Sequence, residues 1–226
     1  MTTTKEKAIS FCRTLIPRVM DGSKTMTRRV PIKPKRVPSP VLDVRIDVGC
    51  PTKPGIIFET DGRKDIVHSP YQVGDILWVR EEYYEYGHWM LNGKTKTGKD
   101  KMEFAPRKNY HLYPIYYPDT LPPGTKIVKG RPVGEWGYFW RNPRFMPRYA
   151  ARLFLRVTGV RVERLQEITT EDAIREGFTD NKIVPAFSAR EMFIGLWDGL
   201  NEKRGYGWEA NPYVFVVEFE RVTEGK

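Results

Sequence analysis

Two stretches near the C terminus repeat with a period of two residues, and they constrain the fold more than any other feature. In residues 152–162 every second residue up to Val157 is apolar, and Gly159 marks a predicted bulge. In residues 213–219 mostly aromatic residues on one face alternate with mostly valine on the other. Long alternating segments are typical of β-strands, so the sequence predicts a protein built mainly on sheet.

Two shorter strands are predicted earlier in the chain. Residues 25–30 contain β-branched residues and end at Pro31. Residues 76–79 follow a Gly-Asp turn and are apolar on both faces, which favours an interior strand. Between residues 31 and 54 prolines recur every few positions, and this pattern predicts an extended loop with little regular structure.

The helix signals are few and short. A first helix is predicted within residues 8–20, although Pro17 weakens the pattern. A second begins with Thr169 and Asp172 at capping-box spacing and stops at Gly177. A third covers residues 188–200. Its predicted apolar stripe consists of Phe193, Leu196, Trp197 and Leu200. The sum is a mixed α+β protein with a few short helices, compatible with a small β-barrel.

The middle of the chain differs in composition from both ends. Residues 83–147 are rich in Tyr, Trp, Lys, Gly and Pro, and a structureless loop of this length is unusual in a compact domain. We therefore expect one domain over residues 1–226, into which residues 83–147 are inserted with hairpins of their own.

The composition limits the classes of function. Lysine and arginine number 38 against 28 acidic residues, a net charge of +10, which favours a polyanionic or phosphorylated partner or simply gives a basic surface. Cys12 and Cys50 are the only cysteines, so neither a disulfide framework nor a cysteine zinc site is expected. The three histidines do not stand at metal-ligand spacing, and no cofactor is expected. Lacking a leader or a long apolar segment, the chain is expected to be cytoplasmic and not membrane-bound.

Four anchors in a fixed order carry a family resemblance. The first is Gly22-x-Lys24-Thr25-x-Thr27-x-Arg29, and the second is the Gly-Asp turn that enters the strand at residues 76–79. The third is the Thr-rich helix start at residues 169–176, and the fourth is the aromatic strand ending in Glu-Phe at residue 219. With this order the chain resembles the ASCH domain, a PUA-like fold, and especially the longer ASCH proteins of bacteriophages and prophages. The resemblance covers roughly residues 8–30, 70–82 and 145–222.

The resemblance implies an activity and a catalytic set. Small bacterial ASCH proteins are amidohydrolases that remove the acyl group from N4-acetylcytidine and related N4-acylated cytosines. Their lysine and the threonine three residues later correspond to Lys24 and Thr27, and their glutamate on the helix after the long strand corresponds to Glu176. Glu167, Glu171 and Asp172 lie close to that last position. The expected substrate is a cytosine-type nucleoside or nucleotide, or the same group within RNA or DNA.

Two chemical schemes are open for these residues. In one, a neutral Lys24 removes the proton from a nucleophilic Thr27. The pKa of Lys24, ordinarily ~10.4, must then fall by about 3 units. In the other, a charged Lys24 stabilises the oxyanion while Glu176 deprotonates a water that Thr27 orients. Each residue also has a structural explanation, since a lysine after a helix complements its dipole and threonine suits a strand.

Arginines supply candidates for substrate binding. Arg28 and Arg29 follow the motif, and a guanidinium there suits a phosphate or a base edge, or a solvated strand face. A second group, which contributes Arg148 to the candidate substrate-binding residues, interleaves basic and aromatic side chains. It consists of Arg141, Arg144, Arg148, Arg152, Arg156, Trp140, Phe145 and Tyr149. Such a pattern suits a nucleic-acid groove, although its aromatic residues also suit a core.

Two other functions remain open at this point. The PUA-like resemblance and the net charge also fit a non-catalytic RNA- or DNA-binding module. A ribonuclease is a third possibility, against which stands the absence of any histidine near the motif.

Overall fold

A computed structural model describes residues 5–31, 43–47, 54–60, 63–179 and 188–222. The protein is of the mixed α+β class, mostly sheet with a few short helices, as the sequence predicts. Its chain divides into two compact units. The first unit comprises residues 1–7, 14–78 and 153–226, and the second comprises residues 8–13 and 79–152.

A five-stranded sheet forms the framework around the candidate site. Its order is β1 (Glu6–Ser10), β6 (Ile76–Arg80), β10 (Phe154–Arg164), β11 (Tyr213–Val222) and β2 (Met26–Arg29). Strands β10 and β11 pair antiparallel over their whole length, and the register shifts between Val157 and Gly159, where the sequence predicts a bulge. Over the described residues this order leaves β1 and β2 as edges, so the sheet does not close into the expected barrel.

The helices of the first unit are α1 (Ile16–Met20), α2 (Thr170–Arg175) and α3 (Ala189–Asn201). Helices α2 and α3 pack on one face of this sheet. The core on this side includes Met26, Leu165, Ile168, Ala173, Phe178, Ala189, Phe193, Trp197, Val214 and Val216. On the opposite face Phe215 packs against Ile56 and Phe58 of a three-stranded sheet. That sheet has the order β3 (Asp43–Asp47), β4 (Gly55–Thr60) and β5 (Arg63–His68).

Side-chain caps fix where α2 and α3 begin. The Thr169 hydroxyl accepts a hydrogen bond from the main-chain amide of Asp172, and Ser188 forms a reciprocal capping box with Glu191. Leu200, expected in the apolar stripe of α3, is instead 58% exposed, because α3 buries a narrower stripe centred on Phe193 and Trp197.

The second unit contains a sheet of its own. Strand β7 (Tyr83–Lys94) lies between β8 (Asp100–Pro106) and β9 (Gly137–Arg141). Gly87 is required here, because a Cβ atom on it would lie 2.4 Å from the Ala105 carbonyl oxygen and 2.6 Å from the Phe104 ring. Its missing side chain lets Phe104 lie across β7.

Two local expectations are wrong. Residues 8–20 do not form one helix: β1 occupies the first part and α1 only residues Ile16–Met20, since Ala8 and Ile9 gain sheet partners that no local pattern reveals. Within the proline-rich stretch, residues Asp43–Asp47 form β3, and the alternation of charged and apolar residues in this part of the sequence was the available signal. Residues 32–42 and 48–53, which include Cys50, lie outside the described residues. Among the described helices, none is long and apolar enough to cross a membrane.

Candidate active site

Lys24 lies where the N-terminal segment meets the end of α2. Its main-chain amide donates to the Arg18 carbonyl at 2.8 Å, and the amide of Thr25 donates to the Arg175 carbonyl at 2.9 Å. The Thr25 carbonyl in turn accepts from the amide of Phe219 on β11. Backbone hydrogen bonds therefore fix the position of Lys24 between α1, α2 and the central sheet.

The Lys24 ammonium group is bound by Glu176. Nζ donates to Glu176 Oε2 at 2.8 Å, to the Glu176 main-chain oxygen at 2.6 Å and to the Met26 main-chain oxygen at 2.8 Å. The two residues are only 2% and 3% exposed. Three short acceptors match the three hydrogens of an ammonium group, so the arrangement is complete for charged Lys24.

The conformation of Gly177 brings Lys24 close to this helix end. Gly177 follows Glu176 with φ of +96°, in the left-handed region. A Cβ atom there would lie 3.2 Å from Arg18 Cβ and 3.3 Å from Lys24 Cβ. A side chain at this position would therefore press on Lys24 itself.

Burial dominates the electrostatics of the lysine. It lowers the pKa of Lys24, and Glu176 opposes the shift while Arg29 and Arg28 reinforce it. Burial likewise lowers the pKa of Arg29. Less free energy is therefore needed to deprotonate Lys24 than to deprotonate a solvent-exposed lysine.

Arg28 binds three carboxylates on the helix side of the sheet. Its Nη2 atom lies 2.7 Å from Asp172 Oδ2 and 3.0 Å from Glu163 Oε2, and Nη1 lies 3.5 Å from Glu176 Oε1. The Arg28 side chain is fully buried and the Phe193 ring lies 6.0 Å from its Cζ atom. Arg28 thereby links the carboxylate that holds Lys24 to the first turn of α2 and to β10.

The ionic network continues across the same face of the sheet. Arg161 on β10 pairs with Glu163 and with Glu218 on β11, and Arg175 lies 3.4 Å from Glu218. Sequence reasoning missed these partners, although charged residues at alternate positions of two central strands were a usable signal. Buried charges in a sheet require partners on neighbouring strands.

Thr27 and Arg29 occupy the other face of β2, because side chains alternate along a strand. Thr27 stands opposite Val217 on β11, and Arg29 stands opposite Phe215. Thr27 is 5% exposed, and its hydroxyl forms no hydrogen bond with any residue in the described part of the chain. A buried hydroxyl without such a partner is available to a ligand.

The second predicted arginine group divides between the units. Arg156 lies in the first unit and pairs at the surface with Glu220, whereas Arg141, Arg144, Arg148 and Arg152 lie in the second. Arg152 donates to both Glu81 and Asp119, and the Arg141 guanidinium lies 3.9 Å from the centre of the Phe104 ring. Arg148 is half-buried in a 3₁₀ turn, and its role in substrate binding stays a prediction.

Comparison with known proteins adds no assignment: no family model, no curated protein and no solved structure matches the chain. The ASCH resemblance stays a prediction that rests on the four anchors. Three of the anchors contribute residues to the network around Lys24: Lys24 itself and Arg28 from the first, Asp172 and Glu176 from the third, and Glu218 from the fourth.

Proposed function

We propose that the protein is an amidohydrolase that removes the acyl group from N4-acylated cytosine, with Lys24, Thr27 and Glu176 as its catalytic residues. The observation that carries this proposal is the buried ion pair between Lys24 and Glu176. Two opposite charges at 1% and 4% side-chain exposure are costly to bury, and a proton-transfer function explains why a chain retains them.

The reaction consumes one water and breaks the bond between the acyl carbon and N4. In the first scheme the Thr27 oxygen attacks the acyl carbon, its proton passes to neutral Lys24, and N4 leaves after receiving a proton. Water then hydrolyses the acyl-threonine ester and releases the carboxylic acid. In the second scheme Glu176 takes a proton from water, which attacks directly, while the Lys24 ammonium stabilises the oxyanion.

The hydrogen bonds of Lys24 support the second scheme in the resting protein. All three ammonium hydrogens have acceptors at 2.6–2.8 Å, so the charged form is well satisfied. The lowered pKa of Lys24 supports the first scheme, because less free energy is needed to produce the amine. Only the first scheme forms an ester on Thr27, which mass spectrometry of acid-quenched reactions detects.

We extend the proposal to the fold. The five-stranded sheet would correspond to the sheet of the PUA-like fold of the ASCH family, left open between its edges β1 and β2 over the described residues. The support is the placement of the anchors: the lysine motif enters β2, the Gly-Asp turn enters β6, and the aromatic anchor forms β11.

Incubation with N4-acetylcytidine, followed by chromatography of released cytidine, tests the activity. The variants are Lys24→Met, Thr27→Val and Glu176→Gln, and Arg156→Met serves as a matched charge-removal control at the surface. We expect turnover in the wild type and the control and its loss in the three variants. Absence of turnover by the wild type would refute the proposal and favour the non-catalytic nucleic-acid-binding alternative. Cleavage of labelled RNA in the same mixtures would indicate the ribonuclease.

A further inference from the structure

The net positive charge of the protein is concentrated in the second unit. This unit contains 15 lysines and arginines against 7 acidic residues, a surplus of 8, whereas the first unit contains 23 against 21. The candidate active site lies in the nearly neutral unit. None of the three proposed catalytic residues lies in the basic unit, so the surplus charge of this unit calls for a separate explanation.

One face of the sheet in the second unit is lined with aromatic side chains. Along β7, Tyr83 and Glu85 are buried, whereas the alternate residues Tyr84, Tyr86 and His88 are half-exposed. On β9 the residues opposite Tyr84 and Tyr86 are Trp140 and Tyr138. We call this surface the aromatic face. It consists of Tyr84, Tyr86, His88, Trp136, Tyr138 and Trp140.

The rings of the aromatic face are ordered by one another. The ring centroids of His88 and Trp136 lie 4.2 Å apart, and those of Tyr86 and Tyr138 lie 5.2 Å apart in an edge-to-face arrangement. Tyr113 stacks on Tyr86 at 4.0 Å. Trp136 and Trp140, at the two ends, are each 46% exposed. The extended chain from Trp136 to Trp140 spans about 13 Å. This distance gives room for roughly two or three stacked bases.

Cationic groups lie beside these rings. The Cζ atom of Arg107 is 5.1 Å from the Tyr113 ring centre and 5.5 Å from that of Trp136. Its own main-chain amide donates to the Tyr86 carbonyl, which fixes it at the margin of the face. The neighbouring Lys108 is exposed. The acidic Glu135, next to Trp136, lies 3.8 Å from Lys126, so its charge is partly offset.

We propose that the aromatic face binds single-stranded nucleic acid. The exposed rings of Trp136 and Trp140 offer stacking surface to bases. The guanidinium at the margin, together with the surplus positive charge of the unit, attracts the phosphates. Paired bases keep their faces stacked inside a duplex, so this surface selects unpaired strands. The charge complementarity decides for a polyanion over an uncharged ligand that also stacks on aromatic rings, such as a sugar.

Fluorescence anisotropy of the full-length protein with labelled ten-nucleotide RNA, ten-nucleotide DNA and a ten-base-pair duplex tests this inference. We expect at least one of the two single strands to bind with higher affinity than the duplex. Its affinity should fall as the salt concentration is raised. Trp136→Ala and Trp140→Ala should each weaken binding roughly 5- to 100-fold. The RNA and DNA arms identify which polymer is preferred.

Leu91→Ala is the control, because Leu91 is 52% exposed on the same strand β7 but alternates with the residues of the aromatic face. It should change affinity less than about 2-fold. The inference would be overturned if all three variants weakened binding equally. It would also be overturned if the duplex bound as tightly as the single strands and both tryptophan variants bound like the wild type. If either tryptophan variant unfolds, Arg107→Gln provides the same test at an exposed position. Thr27→Val should leave binding intact, which separates this inference from the proposed hydrolysis.

Discussion

Lys24 and Glu176 are 152 residues apart in the chain, yet Lys24 binds both the carboxylate and the main-chain oxygen of Glu176. The glutamate is the C-cap residue directly after α2, so the position of the ammonium depends on where that helix ends.

Removal of one member of the pair should cost more than removal of both. Lys24→Met removes the cation in closest contact with the buried Glu176 carboxylate, and we expect a loss of about 3–5 kcal/mol in the free energy of unfolding. The double variant Lys24→Met/Glu176→Leu should recover most of that loss, since apolar side chains replace both charges. Urea denaturation of the wild type, of the single variants Lys24→Met and Glu176→Leu and of the double variant measures the coupling free energy between the two residues. Additive losses would show that the two residues do not interact.

Stability should rise with pH on the alkaline side because of Lys24. Burial lowers the pKa of Lys24 in the folded state below its ordinary value of 10.5, so between the lowered pKa and 10.5 the unfolded chain binds more protons than the folded one. The cost of burying the ammonium is present in full below the lowered pKa and is relieved as pH rises through this window. The Lys24→Met/Glu176→Leu variant lacks this term. Urea midpoints measured from neutral pH to pH 10.5 should therefore rise in the wild type relative to the variant.

Arg28 should be needed for stability and for the orientation of Glu176. Arg28→Met leaves three carboxylates without their shared cation, and we expect a loss of about 3–5 kcal/mol. Arg156→Met, which removes an exposed ion pair with Glu220, should cost less than about 1 kcal/mol. Calorimetric unfolding compares the two. Similar losses in both variants would mean that the buried network contributes little.

The cap of α2 should influence the site from its far end. Thr169→Ala removes the acceptor of the Asp172 amide, with an expected cost of about 1 kcal/mol. Thr170→Ala changes the adjacent exposed residue without touching the cap and should be nearly neutral. Because Asp172 binds Arg28, the Thr169 variant should also lower any amidase turnover more than the Thr170 variant does.

Thr27→Val keeps the shape of the side chain and removes its hydroxyl. If Thr27 is the nucleophile, turnover should fall by on the order of 10³-fold or more, whereas the free energy of unfolding stays within about 1 kcal/mol of wild type. Thr27→Ser should retain activity. Equal activity of the valine and wild-type proteins would exclude a role for the hydroxyl and leave the Glu176 water route.

The sequence predicts the elements whose signals are local. The bulge at Gly159, the cap at Thr169 and the helix from Ala189 all appear where periodicity and capping residues place them. Strand β1 was missed because a short apolar segment has the same pattern in a helix and in a strand, and only its pairing in the sheet decides. Strand β3 was hidden by the prolines on either side of it.

The residues of the candidate site were predictable only in part. Lys24 and Glu176 were predicted from the family resemblance, and the structure places them in contact. The contacts of Arg28 with Glu163 and Asp172 join residues 135 and 144 positions apart, and no local pattern links such distant residues. The aromatic face was missed because Tyr84, Tyr86 and His88 lie in a segment whose strands the sequence did not place individually.

Gly177 ends α2 in a conformation that leaves a main-chain oxygen of the helix end available to Lys24. The last carbonyl groups of a helix have no amide to bind and usually turn to solvent. Here the chain reverses its handedness directly after Glu176, and one of these leftover oxygens becomes a ligand of a buried ammonium group. Glu176 thus binds the lysine through its charged carboxylate and through its main-chain carbonyl dipole. The C-terminal end of a helix here forms a cation-binding site.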